Sequence, residues 1–141
     1  YKVGYIAGVF DLFHIGHLNM FKRAKEQCRY LIVGVVSDEG VRLNKQAEPF
    51  VPFDERIEMV RSCKYVDEAI KLPLDFCGTR DMFKIYHFDV QFSGSDYEHD
   101  PAWLAEKEFL EKNGSTMVFF PYTQSTSSTK LKKAIENRIN N

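Results

Sequence analysis

"KVGYIAGVFDLFHIGHLNMF", residues 2–21, decides the fold, because the period of its apolar residues changes halfway along. Residues 2–10 make a short, β-rich apolar run without polar alternation, which predicts a strand buried on both faces. Beyond it Leu18, Phe21, Ala24 and Cys28 recur at three- and four-residue steps, with Asn19, Lys22, Arg23, Glu26 and Gln27 opposite, which predicts an amphipathic helix. Gly8, His14, Gly16 and His17 lie where the one turns into the other. Unpaired N–H groups and the dipole at a helix start favour an anion, so this junction is a candidate phosphate site.

The same alternation continues. "YLIVGVVS" (30–37) reads as a second buried strand, and the polar segment with Pro49 and Pro52 is not regular throughout. Helix resumes near Phe53, with Phe53, Ile57, Val60 and Lys64 on one face and Glu55, Glu58, Arg61 and Ser62 on the other. Residues 66–72 form a weaker strand, 79–87 a short helix and 89–94 a fourth strand. Asp100-Pro101 starts a helix and Asn113-Gly114 stops it. "TMVFFP" (116–121) is a fifth strand, and Ser127 or Ser128 caps a last helix holding Leu131, Ala134 and Ile135. Five alternations predict a parallel sheet with helices on both faces. Ligands of such sheets bind beyond the carboxyl ends of the strands. His14, Gly94-Ser95-Asp96 and "TQSTSST" (123–129) fall at those ends and are expected to meet at one rim.

Composition bounds the partners. The chain has 141 residues, 44% of them hydrophobic, which suits one domain, 1–141, with one core. A net charge of −1 gives no field that calls for nucleic acid or an anionic membrane. Cys28, Cys63 and Cys77 form no C-x-x-C pair and read as reduced thiols of a cytoplasmic protein. No apolar run approaches the ~20 residues of a membrane span, and no signal peptide is recognisable. The histidine pair lacks the further ligands a zinc site needs, so no protein-held metal is expected.

"GVFDLFHIGH" closely resembles the signature of the H-x-G-H nucleotidyltransferases, in their cytidylyltransferase-like branch. The resemblance covers nearly the whole chain. "RAKEQCRYLIVGVVSDE" (23–39), "CKYVDEAI" (63–70) and "STSSTKL" (125–131) resemble further family motifs in family order. What this implies is a Rossmann-like α/β domain that transfers a nucleotidyl group from CTP to a small phosphorylated alcohol, glycerol 3-phosphate first, and releases pyrophosphate. It also implies a homodimer, and Mg2+ carried with the triphosphate.

Residue by residue, the resemblance makes His14 and His17 the catalytic pair, with Lys45 binding phosphate from a mobile segment. It assigns nucleotide contacts to Gly8, Val9, Phe10, Asp11, Gly16, Lys64, Asp96, Tyr97, Tyr122, Ser127, Ser128 and Thr129, with Lys130 extending the last group. Gly8 would let a ligand approach the backbone closely. Asp11 either meets the nucleotide or fixes its own turn by hydrogen bonding. Arg56 matches a family position and reads equally as a helix-surface charge.

The family's R-T-E-G-I-S-T-T stands here as "YTQSTSST", its R-Y-V-D-E-V carries Lys64, and "GSDY" (94–97) is similar to related adenylyltransferases. Adenylyl transfer to a sugar phosphate or flavin, and a nucleotide-binding module without turnover, therefore stand as alternatives.

Overall fold

The computed structural model describes residues 1–45, 47–74, 78–121 and 128–140, without the side chains of residues 44, 45, 128 and 140. Its element order is β1 (Val3–Gly8), α1 (Ile15–Gln27), β2 (Tyr30–Val36), α2 (Asp38–Lys45), α3 (Phe53–Arg61), β3 (Glu68–Leu72), α4 (Thr79–Tyr86), β4 (Val90–Gly94), a 3-10 turn (Ser95–Tyr97), α5 (Pro101–Lys112), β5 (Thr116–Phe120) and α6 (Ser128–Asn140). The five strands form one sheet in the order β3-β2-β1-β4-β5, all pairs parallel. The expected α/β architecture is present.

Side-chain alternation along the strands splits the core in two. Ile6, Leu31, Val33, Val35, Val90 and Phe92 point to one face, where Phe21 and Ala24 of α1 and Ile57 and Val60 of α3 cover them. Tyr5, Ile32, Leu72 and Met117 point to the other, beneath Met82 of α4 and Leu110 of α5. A strand loaded on both faces can show no polar alternation, which is why β1 and β2 read as unbroken apolar runs. At the start of α5 the Asp100 carboxylate accepts from Ala102 N at 2.9 Å, and Gly114 leaves its end at φ 84°.

Four details differ from the sequence reading. β1 stops at Gly8 rather than at residue 10, because Phe10 turns left-handed at φ 56°. The polar segment after β2 opens with the helix α2, whose first turn carries Asp38 and Glu39 and which buries Val41. Helix α3 ends at Arg61, so Lys64 lies beyond it and is exposed rather than on its apolar face. Ala134 of α6 is exposed too, and Leu131 and Ile135 are only half-buried.

The strand order reverses its direction of growth between β1 and β4, and a doubly wound sheet opens its ligand crevice beyond the carboxyl ends at such a point. The histidine turn follows β1, and the Ser95–Tyr97 turn follows β4. Among the described residues, no helix is long and apolar enough to cross a membrane.

Candidate active site

The chain leaves β1 through a turn that its own side chains constrain. A Cβ on Gly8 would lie 2.8 Å from Cζ of the Phe10 ring, so the space over this glycine is filled from within the chain. Phe10 and Leu12 both hold positive φ, 56° and 52°, a conformation that costs a side-chain-bearing residue energy unless its surroundings impose it. Between them Asp11 is 2% exposed. Its carboxylate accepts from Phe50 N at 2.8 Å and Val51 N at 3.0 Å, and pairs with Lys132 Nζ at 3.1 Å. Burial would raise this carboxyl, but those donors and the lysine charge outweigh burial and hold it below its ordinary value. Asp11 thus faces inward and fixes the turn.

His14 then begins α1 as its N-cap. Its Nδ1 accepts from Gly16 N at 3.0 Å, while His17 Nδ1 accepts from His14 N at 3.2 Å, a reciprocal capping box made with imidazoles. The two rings stack at 3.9 Å between centroids. A ring nitrogen that accepts a hydrogen bond carries no proton, so each neutral ring holds its proton on Nε2. Burial lowers the His14 pKa, and burial with the neighbouring His14 lowers that of His17 to about 3 against a weak opposing pull from Asp11. The pair is therefore neutral near pH 7 and presents two N–H donors from adjacent rings.

Behind the turn, Arg56 is buried, not a surface charge. Its Nη1 donates to Val9 O and Val36 O at 2.8 Å, its Nε to Val51 O at 2.9 Å and its Nη2 to Asp38 at 2.6 Å. One guanidinium thereby ties the ends of β1 and β2 to the loop before α3 and to the start of α2.

Across the crevice, Asp96 and Tyr97 occupy the turn after β4, and Tyr97 stacks on Trp103 at 4.5 Å. Lys45 is the last residue of α2. Gly16 lies in the first turn of α1, and Thr129 is exposed in the first turn of α6. Tyr122 and Ser127, with most of "TQSTSST", lie outside the described residues, as does the Ser128 side chain.

Lys64 is not brought to this rim. It precedes β3, whose first residue pairs with Ile32 near the start of β2, so within one chain it stands at the amino end of the sheet. In the same motif Asp67 accepts from Leu31 N at 2.7 Å and pairs with Lys25, which pins the start of β2.

Sequence reasoning passed over Lys132 and Trp103. Trp103 could have been found from its place one turn into a helix that starts just after "GSDY". For Lys132 the sequence holds no signal, since its partner Asp11 stands near the other end of the chain and meets it only on folding.

An open, mostly apolar cleft of about 710 Å³ flanks the turn, lined by Phe10, Leu12, Phe13, Val51, Met59 and Leu131, with the charged Asp54, Glu55, Arg56 and Glu58 of α3 along one side. Among the described residues, no group of three or more His, Cys, Asp or Glu side chains could hold a metal ion.

Known proteins resemble this chain in sequence, and a solved structure resembles it in fold. The family model for cytidylyltransferase-like proteins matches residues 5–134. FAD synthase of Thermococcus kodakarensis is 37% identical over 95% of this chain and 89% of its own. Glycerol-3-phosphate cytidylyltransferase of Bacillus subtilis is 32% identical over 91% and 92%. Ethanolamine-phosphate cytidylyltransferase of Dictyostelium discoideum is 41% identical over 98% of this chain, which spans only 39% of that enzyme. The solved structure of a lipopolysaccharide core biosynthesis protein from Thermoplasma volcanium superposes with a TM-score of 0.70 at 25% identity, over 89% of this chain and 98% of that one. With relatives matched from one end of the sheet to the other and a crevice set at the sheet's switch point, the chain belongs to the cytidylyltransferase-like family and is a nucleotidyltransferase.

Proposed function

We propose that the protein transfers a cytidylyl group from CTP to a small phosphorylated alcohol, with glycerol 3-phosphate as the first candidate. The observation that carries this reading is the His14–His17 pair, two neutral rings with Nε2 protons at the mouth of the crevice. An ionised phosphate oxygen of the acceptor is already a nucleophile and needs no general base. It attacks the α-phosphorus in line, the bond from that phosphorus to the bridging oxygen breaks, and pyrophosphate leaves with the electron pair. Negative charge builds on the α- and β-phosphate oxygens, and preorganised donors there lower the barrier. His14 and His17 supply those donors, while the Gly16 amide is spent on His14 Nδ1 and holds that ring in place. Lys45, Ser127, Ser128, Thr129 and Tyr122 join by family resemblance.

Mg2+ belongs to this reading as an ion carried by the triphosphate. The described residues offer it no ligand set, and Asp11, the carboxylate nearest in sequence to the histidines, is taken by Phe50, Val51 and Lys132. Asp96 is assigned to the exocyclic amine of cytosine, and the Tyr97–Trp103 stack to its face. A homodimer and a cytoplasmic location complete the proposal; sedimentation at micromolar concentration tests the dimer, and monomer alone would remove it.

A second reading, adenylyl transfer to a flavin, is favoured by the likeness to FAD synthase and by the mostly apolar 710 Å³ cleft, a volume suited to a ring system. Pyrophosphate release from CTP or ATP, against a panel of phosphorylated alcohols and riboflavin 5′-phosphate, separates the two. CTP-dependent release with an alcohol phosphate supports the proposal; ATP-dependent release with the flavin replaces it. His14→Ala and His17→Ala are each expected to lower kcat by about 10²–10³, the usual loss for a preorganised donor.

A further inference from the structure

The histidines owe their aim to a turn that does not hold itself. Two of its side-chain-bearing residues, Phe10 and Leu12, are left-handed, and such residues persist only where surrounding structure imposes them. The constraint converges on Asp11, between them. Phe50 N and Val51 N reach it from the loop before α3, and Lys132 reaches it from α6. Lys132 also lies over the Phe50 ring, 5.4 Å from its centroid, so lysine, carboxylate and loop close a triangle. This is not an exposed surface pair of the kind that contributes little, since its carboxylate is 2% exposed and bonded twice more.

We propose that Lys132 is a positioning residue for nucleotidyl transfer: acting through Asp11, it holds the left-handed turn that aims His14 and His17. Helix α6 is placed to exert such control because it packs thinly. From Leu131 to Ile139 only Leu131, Lys132 and Ile135 are shielded to any degree, and the rest are exposed. The ion pair is thus a principal attachment of the helix, and its other end is the turn itself. A misplacement of about 1 Å at a reacting centre can cost about a hundredfold in rate, so loosening the turn is read in turnover before it is read in binding.

The kinetic arm rests on the nucleotidyl-transfer reading; the spectroscopic arm does not. Lys132→Met keeps the stem of the side chain and removes its charge. It is expected to lower kcat at least tenfold while KM for the triphosphate changes less than threefold, and Lys132→Arg is expected to recover kcat to within threefold of the parent. Added to Asp11→Asn, Lys132→Met is expected to cost nothing further, because both act through one contact. A tenfold rise in KM with kcat preserved, additive losses in the double variant, or an unchanged kcat would each overturn the proposal.

Long-range 1H–15N spectra of the imidazoles, taken on the ligand-free protein, supply the independent arm. The parent is expected to show His14 and His17 fixed as Nε2–H tautomers, with His87 and His99 as internal controls. Lys132→Met is expected to mix the tautomers at His14 and His17 alone. An unchanged spectrum would overturn the inference even in a protein that proved to release no pyrophosphate.

Discussion

Acid should destabilise this protein through His17, and the size of the effect follows from the rings around it. Phe10 and Phe13 stand 5.4 and 5.3 Å from the His17 ring and His14 stacks at 3.9 Å, so a proton on His17 would charge a partly buried ring largely surrounded by apolar and aromatic groups. Its pKa falls from 6.5 to about 3 on folding. The folded value lies below the unfolded one. His17 therefore contributes its full stabilisation above pH 6.5, and loses it as pH falls through the window from 6.5 toward about 3. Between pH 6.5 and 4.5 the unfolded chain takes up this proton and the folded chain does not, which removes about 2 kcal/mol. At ~2.1 cal/mol/K per residue, a chain of this length has an unfolding entropy near 0.3 kcal/mol/K, so Tm should drop roughly 7 °C from this group alone.

Asp11 and Asp38 add little between pH 6.5 and 4.5, since both are held below 3.8 and lose their contribution at more acid pH. The assay is thermal unfolding by circular dichroism from pH 4.5 to 7.5, for the parent and for His17→Gln. Glutamine suits this third helical position, where its amide oxygen can still accept from the N-cap backbone. The parent should lose about 7 °C more than the variant over those two units. Parallel losses, within about 2 °C, would show that His17 titrates as if exposed and would refute the burial argument.

Arg56→Met should destabilise by about 3–5 kcal/mol in urea unfolding, because it strands Asp38 and three backbone carbonyls away from their donor. A loss below about 1 kcal/mol would mean water replaces the guanidinium without penalty. Gly4→Ala should cost about 1–3 kcal/mol, since the added methyl meets Phe92 at 2.7 Å and Cys28 Sγ at 2.9 Å; parental stability would show that both neighbours give way freely. Asp100→Ala should cost about 1 kcal/mol by uncapping α5, and an unchanged urea midpoint would remove the cap's role.

The elements were legible where one local force dominates. The periodic shift at Gly8, the Asp100-Pro101 start and the Asn113-Gly114 stop each announce a boundary through backbone chemistry close at hand. Helix α2 was hidden because, among the described residues, it buries little beyond Val41 and is otherwise too polar to show a stripe. Arg56 looked like a surface charge because its four acceptors come from strand ends and loops that meet only in the folded chain. Lys64 was misplaced for want of one inference the sequence did permit: a residue just before a strand of a parallel sheet stands at the amino end, away from the ligand rim. The histidine pair was visible at once, but its neutral tautomers were not. They depend on two backbone amides whose direction is set by the capping geometry of α1.

The stack of Tyr97 on Trp103 also makes the protein its own optical probe. The chain carries a single tryptophan, so all indole emission arises from one place, at the carboxyl end of β4 beside Asp96. A nucleobase that settled against that stack, as proposed, would change the polarity and the quenching around one fluorophore, with no second tryptophan to dilute the signal. Titration of the unlabelled protein with CTP and with ATP, read at the tryptophan emission band, should rank the two nucleotides before any acceptor is known.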